Sequence, residues 1–126
     1  MAFTQYMLEE VERQSAVGRP IISVTSAGSI AFTKNLTQAC KLQGKYITLF
    51  YDKELGKIGI KFSRYKSEYS MEIKQMFNSA YVPCIRFLKH FKIPKPKVGG
   101  TFKQIIPHES IVYEGPMVIL NYPNKN

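Results

Sequence analysis

Residues 45–65, "KYITLFYDKELGKIGIKFSRY", decide the fold. Two runs, 45–52 and 57–65, are rich in aromatic and β-branched residues, and "KELG" lies between them. That pattern predicts a β-hairpin. In the second run Ile58, Ile60 and Phe62 point one way, and Lys57, Lys61 and Tyr65 point the other. A period of two, with apolar residues on one side and cations on the other, describes antiparallel sheet with one dry face and one wet face.

The wet side continues into "KFSRYKSEYSMEIK" (61–74), where four basic residues and three aromatics share fourteen positions with two carboxylates. Through 68–77 Tyr69, Met71, Ile73 and Phe77 alternate with Glu68, Glu72 and Lys74, which predicts a further strand with the first set inward. "NSAYV" leads to Pro83, a residue suited to a first helical turn. In "PCIRFLKHF" Cys84, Phe87, Leu88 and Phe91 form an inward stripe, with Arg86, Lys89 and His90 largely outside it. "KIPKPKVGG" (92–100) reads as a basic linker or mobile loop, and "TFKQII" and "MVILNY" as closing strands.

Upstream, residues 3–15 carry the apolar stripe Phe3, Met7, Leu8 and Val11 and read as an N-terminal helix within 1–18. "IISVT" and "SIAF" read as short strands about a "SAG" turn. Thr33 can cap a helix "KNLTQACKLQ" that Gly44 ends, with Leu36, Ala39 and Cys40 facing the core. A short strand running straight into a short helix occurs twice, about fifty residues apart, which suggests two βαββ units of poor mutual identity. The expected fold is α+β: a twisted antiparallel β-sheet or small barrel with two short helices, a doubled βαββ unit and an N-terminal helix. Residues 1–126 read as one domain, with 19–122 as its β-rich core.

The net charge is +9, and residues 28–108 carry +11 of it with twelve of the sixteen aromatics, while both flanks are slightly acidic. A charge of this size suggests a polyanionic partner. Its bland counterpart is a solvated lysine-rich surface. Chemistry is sparse. Asp52 is the one aspartate, and His90 and His108 lack Cys or carboxylate neighbours at metal-ligand spacing. No phosphate-loop, nucleophile-elbow or zinc-protease motif is present. Cys40 and Cys84 read as buried, reduced thiols on apolar helix faces, consistent with a cytoplasmic protein, and no membrane span is expected. Glu68 and Glu72 read as balancing nearby lysines. No cofactor or metal is expected, and nothing argues for an enzyme.

Residues 22–62 resemble the AbrB-type swapped-hairpin transcription regulators and their MraZ relatives. The resemblance is carried by Val24, Thr25, Ser26, Gly28, Ile30, Leu42 and the strand after Lys45. It implies a β-barrel, dimeric or doubled within one chain, that binds DNA through basic residues near the first loop, with Lys34 as the matching position. Thr33 stands where that family usually has proline, and Gly44-Lys45 replaces its usual Gly-Asp. The ββββα order from Lys45 to Phe91 is more loosely similar to single-strand binders of the Whirly and positive-cofactor type.

The resulting expectation is a non-enzymatic, DNA-binding homodimer or higher oligomer, suited by size and charge to a phage or mobile-element accessory role in replication, recombination or transcription. Its binding residues would be Lys34, Lys57, Lys61, Arg64, Tyr65, Lys66, Lys74, Arg86 and Lys89, with rings for bases and cations for phosphates. The competing expectation is a protein-binding inhibitor or assembly factor whose basic face meets an acidic protein.

Overall fold

A computed structural model describes residues 19–123. The expected N-terminal helix lies outside them. In chain order the elements are β1 (Ile21–Val24), β2 (Ser29–Phe32), α1 (Lys34–Cys40), β3 (Tyr46–Asp52), β4 (Lys57–Ser63), β5 (Met71–Glu72), β6 (Lys74–Met76), β7 (Ser79–Pro83), α2 (Ile85–His90), β8 (Phe102–Ile105) and β9 (Val118–Pro123). A single 3-10 turn, His108–Ser110, lies between β8 and β9.

Two antiparallel sheets share these strands. Sheet A runs β6-β7-β2-β1-β8 and sheet B runs β5-β3-β4-β9. The hairpin at 45–65 forms as its alternation requires. Ile47 pairs with Phe62 and Leu49 with Ile60, while Thr48 faces Lys61 and Asp52 faces Lys57 on the other side. Gly56 closes the turn by donating its N–H to the Asp52 carbonyl at 2.8 Å.

The sheets join at both edges. At one, β5 and β6 are consecutive pieces of chain in different sheets. The buried Ile73 between them donates its N–H to the Lys45 carbonyl at 2.8 Å. At the other, the Gln104 side chain on β8 donates to the Ile119 carbonyl at 2.9 Å and accepts the Asn121 N–H at 2.8 Å, both on β9. The result is a small barrel around one core, in which Ile22, Ile30, Phe32, Ile58, Ile60, Phe62 and Leu120 are fully buried. Each buried Ile or Phe contributes about 1.5–3 kcal/mol by leaving water. The Phe32 and Phe62 rings, from sheets A and B, meet edge to face at 6.0 Å.

The twofold repetition is present in part of the pairing, although the β3–β4 ladder has no counterpart between β8 and β9. Hairpin β1–β2 corresponds to β6–β7, and the ladder β1–β8 corresponds to β5–β3, while β2–β7 and β4–β9 tie the two halves to each other. Each half sends a strand directly into a short helix, β2 into α1 and β7 into α2. Because β2 and β7 run antiparallel, the two helices start at opposite ends of sheet A.

Several local expectations are corrected. Residues 68–77 are not one strand with four inward residues: the chain changes sheets at Ile73, and Tyr69 and Phe77 stand in solvent. Pro83 ends β7 instead of opening the helix. Helix α1 stops at Cys40, with Lys41 in the left-handed conformation three residues before Gly44. Its inward residues are Leu36 and Thr37, and Ala39 is exposed. Thr33 occupies the N-cap position but its hydroxyl serves the tertiary fold: it accepts the Ile21 N–H at 3.0 Å and donates to Asn35 Oδ1 at 2.8 Å. Cys84 precedes α2 instead of lying on it. Segment 92–100 is held to its neighbours at two points and turns on itself at a third. Ile93 is buried and donates its N–H to the Leu88 carbonyl at 2.8 Å, the Tyr122 hydroxyl donates to the Pro94 carbonyl, and the Gly100 N–H reaches the Lys97 carbonyl at 2.7 Å.

Candidate nucleic-acid interface

The two sheets differ in charge. The described carboxylates are Asp52, Glu54, Glu68, Glu72, Glu109 and Glu114. None lies on a strand of sheet A or on α2. From residue 73 to residue 108 the chain has seven basic residues and no acidic one: Lys74, Arg86, Lys89, Lys92, Lys95, Lys97 and Lys103. All of them are exposed.

Register aligns the outward side chains of sheet A. Lys74 pairs with Tyr81, Tyr81 with Ala31, Ala31 with Ser23, and Ser23 with Lys103. One row therefore crosses all five strands, with a cation at each end, one ring and a floor of small side chains. Four strand spacings of about 4.8 Å put its ends ~19 Å apart. At the α2 end, segment 92–101 and β8 enclose a groove of about 610 Å³ lined by Lys95, Lys97 and Lys103 with Phe102, Tyr122 and prolines. The Phe102 and Tyr122 rings stack obliquely at 5.1 Å.

The sequence-derived site residues fall on two sides of the molecule. Lys74 lies on sheet A, and Arg86 and Lys89 lie on α2. Lys34 opens α1 next to the β6–β7 turn, since Phe32 pairs with Ala80. Lys57 and Lys61 point out from sheet B instead, where Lys57 is half-buried opposite Asp52 and Lys61 is exposed opposite Thr48. Tyr65 does not share their strand face, because β4 ends at Ser63. It stands in the bend that follows β4, with Lys66 next after it, and both are exposed. Arg64 is held by Glu114 through two hydrogen bonds. Glu68 lies in the loop and Glu72 on β5, so they share no strand face. Lys92, Lys95, Lys97 and Lys103 were missed by the sequence reading. The signal that could have found them is the uninterrupted absence of Asp and Glu over 73–108.

The outer face of sheet B is apolar at its centre. Phe50, Leu55, Met117 and Ile119 are between 41% and 55% exposed. They line a groove of about 650 Å³ across Gly59. A Cβ at Gly59 would come within 2.0 Å of Met117 Sδ, so the missing side chain is what lets Met117 lie across the strand. Lys53 and Lys57 rim the groove together with Asp52 and Glu54, two charges of each sign.

The thiols sit away from both faces. Burial pushes Cys84 up to about 11. Cys40, half-buried with its Sγ 3.5 Å from the His108 carbonyl, is also raised, first by burial and then by Glu109. Among the described residues no three His, Cys, Asp or Glu side chains converge as metal ligands would, and no helix is long and apolar enough to cross a membrane. Compared with protein-family models, with curated proteins and with solved structures, the chain matches none of them.

Proposed function

We propose that this chain is a non-enzymatic DNA-binding protein whose interface is the outer face of sheet A together with α2 and the lysine-lined groove beside it. The observation that carries this reading is the segregation of charge along the chain: seven exposed cations and no carboxylate over 73–108, the stretch that supplies β6, β7, α2 and β8. Cations concentrated on one side attract phosphates far more than the same charges interspersed with carboxylates. The row from Lys74 to Lys103 offers phosphate partners at its margins and leaves small side chains between them for a strand or a groove edge. The resemblance of 22–62 to the AbrB and MraZ group, which implies a DNA-binding barrel, dimeric or doubled within one chain, supports the same reading, as does the pairing that relates the two strand–helix units.

The test is a titration with single-stranded DNA, duplex DNA and RNA across a range of salt. Log affinity falls linearly with log salt if phosphates are the partners, with a slope of roughly −0.7 per contact on a single strand and roughly −0.9 on a duplex. A flat response removes the reading. An acidic protein partner would also give salt dependence, so competition decides between the two: unrelated oligonucleotides displace a DNA-bound chain from its ligand and leave a chain specific for a protein partner in place.

The second face favours a homodimer. The sheet B groove combines an exposed apolar centre with a rim of Lys53, Lys57, Asp52 and Glu54. A rim with equal numbers of both signs is self-complementary under a twofold axis. It is also where a chain of net charge +9 repels its own copy least.

A further inference from the structure

The β6–β7 hairpin turns through Phe77 and Asn78, since Met76 and Ser79 are paired across it. Phe77 holds φ 57°, in the left-handed region. Both of the favoured two-residue hairpin turns demand positive φ at this position, which is why glycine, asparagine or aspartate normally fills it. A bulky side chain there is an outlier. Phe77 is also 90% exposed, second only to Val98 among the large apolar side chains of the described residues. Neither packing nor backbone energetics accounts for phenylalanine at this tip. The turn is nevertheless fixed by local hydrogen bonds: Gln75 Nε2 donates to the Phe77 carbonyl at 2.9 Å, and Ser79 Oγ donates to the Met76 carbonyl at 3.0 Å.

The tip stands among groups that suit a nucleic acid. Lys74 and Met76 share the outward face of β6, Tyr81 lies across from Lys74, and Lys34 begins α1 beside the turn. Three residues of extended strand separate Phe77 from Lys74, roughly 10 Å. We propose that Phe77 is a stacking platform for an unpaired base of single-stranded DNA, with Lys74 and Lys34 taking the flanking phosphates. This rests on the nucleic-acid reading above and adds a ligand form and a contact atom group to it. A strained residue retained in a fixed turn, with its ring in water, is the arrangement in which stacking supplies what the fold does not.

The test compares wild type with Phe77→Gly and Phe77→Tyr on three probes: oligo-dT, an abasic oligonucleotide of the same length, and a short duplex. Glycine suits the turn, so Phe77→Gly melts at or above the wild-type temperature, which removes misfolding as an explanation of lost binding. Its affinity for oligo-dT falls roughly 5- to 150-fold, the range expected for one stacked base. Its affinity for the abasic strand stays at the wild-type value, and Phe77→Tyr keeps most of the oligo-dT affinity. Equal oligo-dT binding by wild type and Phe77→Gly overturns the proposal and leaves the DNA reading standing. An equal loss on the abasic strand overturns it too, because the contact is then not to a base. A duplex preferred over oligo-dT by wild type, with the Phe77→Gly loss confined to the duplex, replaces stacking with a wedge between paired bases and overturns the single-strand assignment. Wild type that binds none of the three probes overturns both readings.

Discussion

Glu114 and Arg64, fifty residues apart, are joined at two points: the carboxylate accepts the Arg64 backbone N–H at 2.6 Å and Arg64 Nε at 2.9 Å. Glu114 also donates its own N–H to the Phe62 carbonyl at 2.9 Å, so the loop before β9 is pinned to the end of β4. The Arg64 backbone N–H, ahead of the guanidinium, holds the Glu114 carboxyl below its ordinary value of 4.5. A depressed carboxyl contributes stability above its unfolded pKa and loses it as pH falls through the folded one. Glu114→Gln is therefore expected to melt below wild type at neutral pH, with the difference closing as pH drops from about 4.5 downward. Both side chains are solvent-exposed, so the effect is small. Melting curves across acid pH check it, and parallel curves for the two proteins would refute it.

Cys84 titrates in the opposite sense. Burial raises its folded pKa from 9.0 to about 11, so the neutral thiol is the form that folds. The stability tied to it is complete below the unfolded value and is lost as pH rises through the folded one. Wild type is expected to lose stability relative to Cys84→Ala between about pH 9 and 11. Native Cys84 should resist thiol reagents until unfolding, and rapid native labelling would contradict its burial.

The charge segregation makes a paired prediction. Lys74→Ala with Lys103→Ala removes the two ends of the sheet A row and should make the single-strand salt slope shallower by about 1.4. Lys57→Ala with Lys61→Ala, on sheet B, should leave the slope unchanged. Equal effects from both pairs would mean that the whole surface binds without a preferred side.

Gly28 is required where it stands. Its φ is +82°, and a Cβ would lie 2.7 Å from Ile85 Cδ1 at the start of α2. Its carbonyl accepts the Cys84 N–H at 2.9 Å, which locks the first turn to the second helix. Gly28→Ala is expected to cost roughly 1–3 kcal/mol, combining the left-handed backbone penalty with the clash. Denaturant unfolding measures it, and an unchanged midpoint would refute it.

On sheet B, Phe50→Glu should shift the chain from dimer to monomer by light scattering at micromolar concentration while leaving its melting cooperative. A wild type that is monomeric at every concentration would exclude this face as a self-contact.

The hairpin of β3 and β4 was legible because Ile58, Ile60 and Phe62 alternate with Lys57, Gly59, Lys61 and Ser63, and one slip of register would invert every side chain. The strand–helix repeat was legible for the same reason, as two short apolar patterns at matching distance. Residues 68–77 were not. Alternation says which residues share a face, but it does not say that the chain leaves one sheet for another at Ile73, and so it could not place Tyr69 or Phe77 in water. The end of α1 was misplaced because a left-handed Lys41 has no marker in sequence, whereas Gly44 is conspicuous. The strands around Lys57 drew attention through their own cations. The predicted hairpin already set Asp52 across from Lys57, whereas only topology brings β6, β7 and β8 of 73–108 into one sheet.

Gln104 fastens the barrel as a clasp fastens a bracelet. Elsewhere neighbouring strands are zipped by ladders that part only as units, but among the described residues β8 and β9 are joined by the Gln104 amide, which grips the Ile119 carbonyl and the Asn121 N–H, and by the contact of the Phe102 and Tyr122 rings. The rings that flank the lysine groove hang on either side of that clasp, Phe102 from β8 and Tyr122 from β9. Gln104 therefore sets the groove together with the Phe102–Tyr122 ring contact and the bond from the Tyr122 hydroxyl to the Pro94 carbonyl. Gln104→Ala should quicken hydrogen exchange at Asn121 while the amides of β3 and β4 keep their protection, and a ligand that fills the groove should slow that exchange again in wild type.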